Sequence, residues 1–266
     1  MTASFTPTSL SGSGASTLTL TVNSTTQGGT YNITITGTSA SRTHSILVRL
    51  TVVPVTAPSI GYVQGAGTSN DGGSLVDARS FGNPNTIGNL IVAVISWGNS
   101  GSVTCSDSQG NTYAVATIQY DSMNNQSLAI CYAAGVKGGA NTVTATFSSS
   151  AQYRRLLIHE YQGVALNTPV DVVARNVANG TTGSNAITST AAGTTVSGDL
   201  IFGAAMDDSG LTTITAGTGF TQRQSVNNKD MATEDLVQTA AGSVAATQTF
   251  GATHRYLAQM VAFKHR

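Results

Sequence analysis

Apolar side chains recur at every second position along short segments of this chain, a period that suits strands and not amphipathic helices. In STLTLTVNS, Leu18, Leu20 and Val22 point one way and the threonines between them the other, as in an antiparallel strand with one wet face. TYNITITGTS and HSILVRLTVV continue the pattern, separated by TQGG and by a Ser/Arg/Thr turn. Helix-forming surface residues are scarce, and glutamate occurs only at Glu160 and Glu234. The expected class is all-β.

From Ile60 onward, strand-like segments such as NLIVAVISWG, NTYAVATIQY, NTVTATFS, YRRLLIHEYQGV and GDLIFGAAM alternate with Gly, Asn, Asp and Ser clusters at intervals of about 8 to 14 residues. That rhythm suits an antiparallel β-sandwich of jelly-roll type. LIVAVIS, LIFGAAM and AQMVAF are apolar on both faces, so they are expected to be central strands covered by loops or by another module. VPVTAPS, with Pro54 and Pro58, reads as a short stiff linker. The expected organisation is therefore a small module at 1–53, a linker at 54–59 and a larger jelly-roll-like sandwich at 60–266.

Lys plus Arg and Asp plus Glu number 12 each, and charged residues are 9% of the chain against about 25% in an average soluble protein. With no net field to attract phosphates, nucleic acid is not an expected partner. No run of about 18 apolar residues is present, so membrane insertion is not expected either. A charge-poor, hydroxyl-rich β chain points to a secreted or cell-surface location, its leader removed. Cys105 and Cys131 lie in two strand-like segments. They are expected to form one disulfide closing a loop of roughly 26 residues, for roughly 3 to 4 kcal/mol, the alternative being two buried thiols.

Residues 2–53, through FTP, GTYNITITGTS and the closing HSILVRLTV, resemble the second half of the Ig-like repeats of secreted bacterial enzymes and adhesins. The resemblance implies a partial Ig-like sandwich with an uncovered apolar face and unpaired edges, which would pack on the second domain or on another copy by strand complementation. Residues 60–266, through GNLIVAVISWG, SDSQGNTY, GGANTVTATFS, HEYQGV, GDLIFGAAM and AQMVAFK, resemble a β-sandwich repeat of secreted bacterial and phage-associated proteins. No catalytic motif accompanies that second resemblance.

Residue chemistry offers three kinds of site. Exposed aromatic rings serve as stacking platforms for sugars, and Trp97, Tyr120 and Tyr153 are the candidates; SWGNSG sets Trp97 at a loop edge, although a core position also suits a tryptophan. Glycoside cleavage needs two carboxyl groups. Glu160 shares a strand face with Leu156 and Ile158, whose desolvation would favour its acid form, and Asp207, Asp171, Asp199 and Asp208 are candidate partners; alternatively Glu160 pairs with Arg154 or a loop. Structural calcium is the one cofactor considered, at Asp107 and Asn111 or at Asp207 and Asp208, although a tight turn explains Asp107 and Asn111 equally. The expected function is a non-catalytic binding or adhesion protein for polysaccharide or cell-surface glycan. The alternatives are a structural protein forming homo-oligomers through its amino-terminal module, and a polysaccharide-cleaving enzyme using Glu160.

Overall fold

The computed structural model describes residues 2–22, 27–52, 59–177, 184–207, 213–226 and 230–266; the expected linker at 54–59 lies, except for Ser59, outside them, as does Asp208. The described residues form strands and loops, with no helix among them. The chain divides into two compact units, residues 1–57 and 58–266.

In the first unit β1 (Thr2–Thr6) pairs with β2 (Thr17–Thr21), and β3 (Gly29–Ser39) with β4 (Arg42–Val52), both antiparallel. The period of two is visible as alternating half-buried and exposed side chains in β2 and along Tyr31, Ile33 and Ile35 of β3. Among the described residues of this unit no side chain is fully buried, and Ile46 is 62% exposed. Two-stranded ribbons do not enclose a core of their own.

The second unit contains two copies of one architecture. The first copy comprises β5 (Gly61–Asn70), β6 (Ser74–Ser80), β7 (Leu90–Trp97), β8 (Val103–Asp107), β9 (Ala114–Asp121), β10 (Gln126–Ala134), β11 (Thr142–Ala151) and β12 (Arg154–Gln162). The second comprises β13 (Val170–Val177), β14 (Ser184–Thr188), β15 (Ala192–Gly193), β16 (Leu200–Asp207), β17 (Ile214–Ala216), β18 (Thr221–Val226), β19 (Met231–Val237), β20 (Ser243–Val244), β21 (Thr247–His254) and β22 (Tyr256–Phe263). In the first copy a five-stranded sheet β5-β12-β7-β10-β9 accompanies a three-stranded sheet β6-β11-β8. In the second, β13-β22-β16-β19-β18 accompanies β14-β21-β17, the same order strand for strand, with β15 and β20 as a small added ribbon. Each copy is jelly-roll-like, because successive strands cross between its two sheets. The larger jelly-roll-like region expected at 60–266 is built from two such pairs of sheets.

The five-stranded sheets pack on each other. Leu90, Val92, Val94, Leu128 and Ile130 of the first meet Leu200, Phe202, Met231, Val261 and Phe263 of the second in one core. The opposite face of each large sheet carries its own three-stranded sheet: Ile91, Ile95, Trp97 and Leu156 pack against Val103, Val143 and Phe147, while Ala205 and Ala258 pack against Ile187, Ile214 and Phe250. Four layers result. This explains why β7, β16 and β22 are buried at all eight positions, since both faces of each strand lie between layers. Each such Leu, Ile, Val or Phe contributes about 1.5–3 kcal/mol of burial.

Polar ties cross the central seam. Arg155 Nε meets Asp230 Oδ2 at 2.6 Å, and Arg255 Nη2 meets both Asp121 oxygens at 2.7 and 2.8 Å. The Tyr161 hydroxyl donates to Asp235 Oδ2 at 2.7 Å, and Arg223 Nε reaches the same oxygen at 2.7 Å while its guanidinium lies over the Tyr62 ring. Thr233 Oγ1 lies 2.8 Å from His159 Nε2. Burial, the largest influence on that imidazole, pushes its pKa down to about 3, so it stays neutral at ordinary pH.

Candidate functional site

One end of the first five-stranded sheet gathers the loops that follow β7, β9 and β11. Tyr120, near the end of β9, is 39% exposed and donates its hydroxyl to Asn125 Oδ1 at 2.9 Å. Asn125 Nδ2 donates to the Gly98 carbonyl at 3.3 Å, and Gly98 N donates to Gln152 O at 2.8 Å. Tyr153 follows directly and is 52% exposed. A Cβ at Gly98 would stand 3.2 Å from both Gln152 O and Tyr153 Cδ2, so the absence of a side chain lets the two loops close on each other. Asn125 and Tyr153 both have left-handed backbones, with φ of 54° and 51°. Non-glycine residues adopt that conformation where the surroundings over-determine it.

The rim is braced from beneath. Ser127 Oγ donates to Asn99 O at 2.6 Å, Asn99 Nδ2 to Ser150 O at 3.0 Å, and Asn99 Oδ1 accepts from Gly101 N at 2.8 Å. Asp121, clamped by Arg255, accepts Met123 N at 3.0 Å and so fixes the turn that carries exposed Met123. The outcome is a rim carrying two exposed phenol rings, a thioether and the exposed amides of Asn125 and Gln152. Rings of this kind stack on the C–H faces of sugars while amides and hydroxyls bond to their hydroxyl groups. Tyr120 and Tyr153 are thus brought together around Gly98.

Trp97 is not part of the platform. It is 0% exposed, facing the first copy's outer layer with its ring centroid 5.6 Å from that of Phe147. It is the last residue of β7, and strand alternation sends its side chain inward just before the loop begins.

Glu160 and Asp207 are not brought together as an acid and its partner. Glu160, in β12, is 0% exposed, and four N–H groups converge on it: Gln64 Nε2 at 2.7 Å and Asn85 Nδ2 at 2.8 Å on Oε2, Thr86 N and Asn89 Nδ2 at 2.7 Å each on Oε1. Four donors suit a group that only accepts, and they leave no room for a scissile bond. Arg154, the partner considered from sequence, instead lies 4.0 Å from Asp77. Asp207 ends β16 in the other five-stranded sheet and accepts from His254 Nδ1 at 2.6 Å.

The expected calcium ligands Asp107 and Asn111 form a turn. Asp107 accepts Gln109 N, Asn111 N, Asn111 Nδ2, Tyr113 Oη and Asn141 Nδ2 at 2.7 to 3.2 Å, and Asn111 Oδ1 accepts Lys137 N at 2.8 Å. Burial alone would push the Asp107 pKa up, but the donors, led by Asn141 and Asn111, hold it below the usual value. Oxygens so occupied are not open to a cation. Asp208, the other half of the second calcium candidate, lies outside the described residues.

Cys105 and Cys131 form a disulfide with Cα atoms 6.5 Å apart, joining β8 of the small sheet to β10 of the large one. In the second copy the matching strand positions hold Ala216 and Glu234, and Glu234 Oε2 accepts Gly217 N at 2.8 Å. Burial first of all pushes the Glu234 pKa up to about 7. Sequence reading missed this carboxyl group, and it offered Asp171 and Asp199 as partners for Glu160, whereas they lie beside each other. Burial is the largest influence on Asp199 too, and with Asp171 adjacent its pKa rises to about 7.

No family model, no curated protein and no solved structure matches this chain.

Proposed function

We propose that this chain is an extracellular, non-catalytic binding or adhesion protein that recognises neutral carbohydrate at the rim around Gly98. The observation that carries the reading is the pair of exposed rings, Tyr120 and Tyr153, anchored through Asn125 and Gly98 on loops braced by hydrogen bonds. The zero net charge and the scarcity of charged residues support an uncharged ligand. The test is binding of the full chain and of a Tyr120→Ala/Tyr153→Ala double variant to a glycan array and to insoluble polysaccharides. The expected result is binding by the parent chain and a loss of tenfold or more in the variant, since stacked aromatic contacts contribute about 0.5–1.5 kcal/mol each beyond their buried area. Binding by neither, or equal binding by both, would overturn the reading.

A second reading concerns the first unit, where no described side chain is fully buried and Ile46 and Leu47 stand exposed. The resemblance of residues 2–53 to half an Ig-like repeat supports assembly with strands supplied by another copy. Deletion of residues 1–53 tests it: oligomers should vanish while the second unit stays folded, and an oligomeric state that the deletion leaves unchanged refutes it.

A further inference from the structure

The two copies of the second unit answer the same packing problem with opposite chemistry at one position. Asn89 and Asp199 occupy matching places, each between a glycine and the first leucine of β7 or β16. In the first copy Asn89 supplies one of four N–H groups to the single carboxylate of Glu160, which faces Ile91 of β7. In the second copy the residue matching Glu160 is Ala262, and the carboxylate comes instead from Asp171, at the irregularity between Val170 and Val173 of β13. Asp171 Oδ2 accepts Thr195 N at 2.5 Å, and Oδ1 accepts the Thr195 hydroxyl.

Where the first copy sets an amide beside its carboxylate, the second sets another carboxyl group. Asp199 is 0% exposed and lies within hydrogen-bonding reach of Asp171. Neither of its carboxyl oxygens receives a donor, while its backbone carbonyl is taken by Gln238 N at 2.8 Å. The Lys264 ammonium acts on both carboxyl groups without forming an ion pair with either, and the His265 ring packs beside Gly198. Two carboxyl groups side by side, one buried and given no N–H or hydroxyl donor by its surroundings, need a positive charge between them, either a proton that one of them carries or a bound cation. Their oxygens, with the Thr195 hydroxyl, are hard donors of the kind calcium takes, its remaining positions being filled by water.

We propose that Asp171 and Asp199, with Thr195 Oγ1, form a binding site for a divalent hard cation, calcium being the probe of choice. Among the described residues no cluster of three or more His, Cys, Asp or Glu side chains is arranged for a metal, so this site rests on two carboxylates and a hydroxyl. Such a ligand set places it with weak extracellular calcium sites, with Kd on the order of 10⁻⁴ to 10⁻³ M. Ordering the loop before β16 against β13, the ion would do for the second copy what the amide cage around Glu160 does for the first.

The test is thermal unfolding and calorimetric titration of the full chain at pH 8, with calcium chloride or with EDTA, for the parent and for Asp199→Asn, Asp171→Asn and Asp71→Asn. At ten times Kd the parent should gain about 3–6 °C in Tm. Asp199→Asn restores the amide of the first copy and should fold without calcium; it and Asp171→Asn should lose the response. Asp71→Asn, a change of an exposed loop carboxylate outside the pair, should keep it. A parent chain with no calcium response, a response that survives Asp199→Asn, or one abolished by Asp71→Asn each overturns the proposal.

Discussion

Replacing Glu160 by glutamine separates a structural carboxylate from a catalytic acid. The two side chains have the same shape, but glutamine exchanges one acceptor oxygen for an NH₂ group that has only protons to offer. Whichever way the new amide turns, it faces two donors, Gln64 and Asn85 on one side or the Thr86 backbone and Asn89 on the other. Thr86 N cannot reorient. Gln64 is held because its own oxygen accepts Asn83 N at 3.1 Å. Asn85 can flip, since its oxygen is otherwise unpartnered, but doing so orphans its amide hydrogens. Two hydrogen bonds to a charged acceptor are therefore lost at a fully buried side chain, at about 1.5–3 kcal/mol each, or about 3–6 kcal/mol in total. For a unit of this size each kcal/mol moves Tm by about 2–4 °C, so a fall on the order of 10 °C is expected. The assay is thermal denaturation of the parent and the variant, followed by circular dichroism, beside an assay for release of reducing sugar from polysaccharides. A catalytic Glu160 would give the reverse, turnover lost with Tm unchanged within about 2 °C, and that outcome would refute the reasoning.

Two further outcomes follow from the geometry. Trp97 is the chain's sole tryptophan, so its fluorescence should be shielded from acrylamide and unmoved by any sugar that binds, and Trp97→Ala should cost about 3–5 kcal/mol in denaturant unfolding; ready quenching would place the ring at the surface instead. Glu234, with its folded-state pKa raised to about 7 from 4.5, binds its proton more tightly when folded, so it makes the parent lose stability as pH rises from about 4.5 to about 7. Glu234→Gln lacks that slope and should gain up to about 3 kcal/mol on the parent between pH 4 and pH 7.5 in chemical denaturation, whereas a constant difference would contradict the assignment.

Strand identity was legible because side-chain pattern is a local property: β2 and β3 alternate residue by residue, and β7, β16 and β22 are largely apolar runs of strand length. What covers the doubly apolar strands was not legible. GNLIVAVIS and GDLIFGAAM are one element in two copies, but the likeness is confined to a few positions, and neither string names its partner across the seam. The face of Glu160 followed from parity with Leu156 and Ile158, yet the donors that define its role come from β5 and from the loop before β7, more than 70 positions away in sequence. The meeting of Tyr120 and Tyr153 depends likewise on a backbone contact at Gly98. Trp97 was ambiguous because one residue decides whether a strand end points inward or belongs to the loop.

Joining two like sandwiches through their large sheets, on one polypeptide, yields a dimer with its subunits tethered. Dilution does not separate them, because the partner is always present at high effective concentration. The tether also breaks a constraint: in a symmetric pair of separate chains every substitution appears twice, whereas here each half varies alone. One half carries a disulfide, an amide cage and a tyrosine rim, and the other has a buried acid where the sulfur bridge was and a second aspartate in place of the amide.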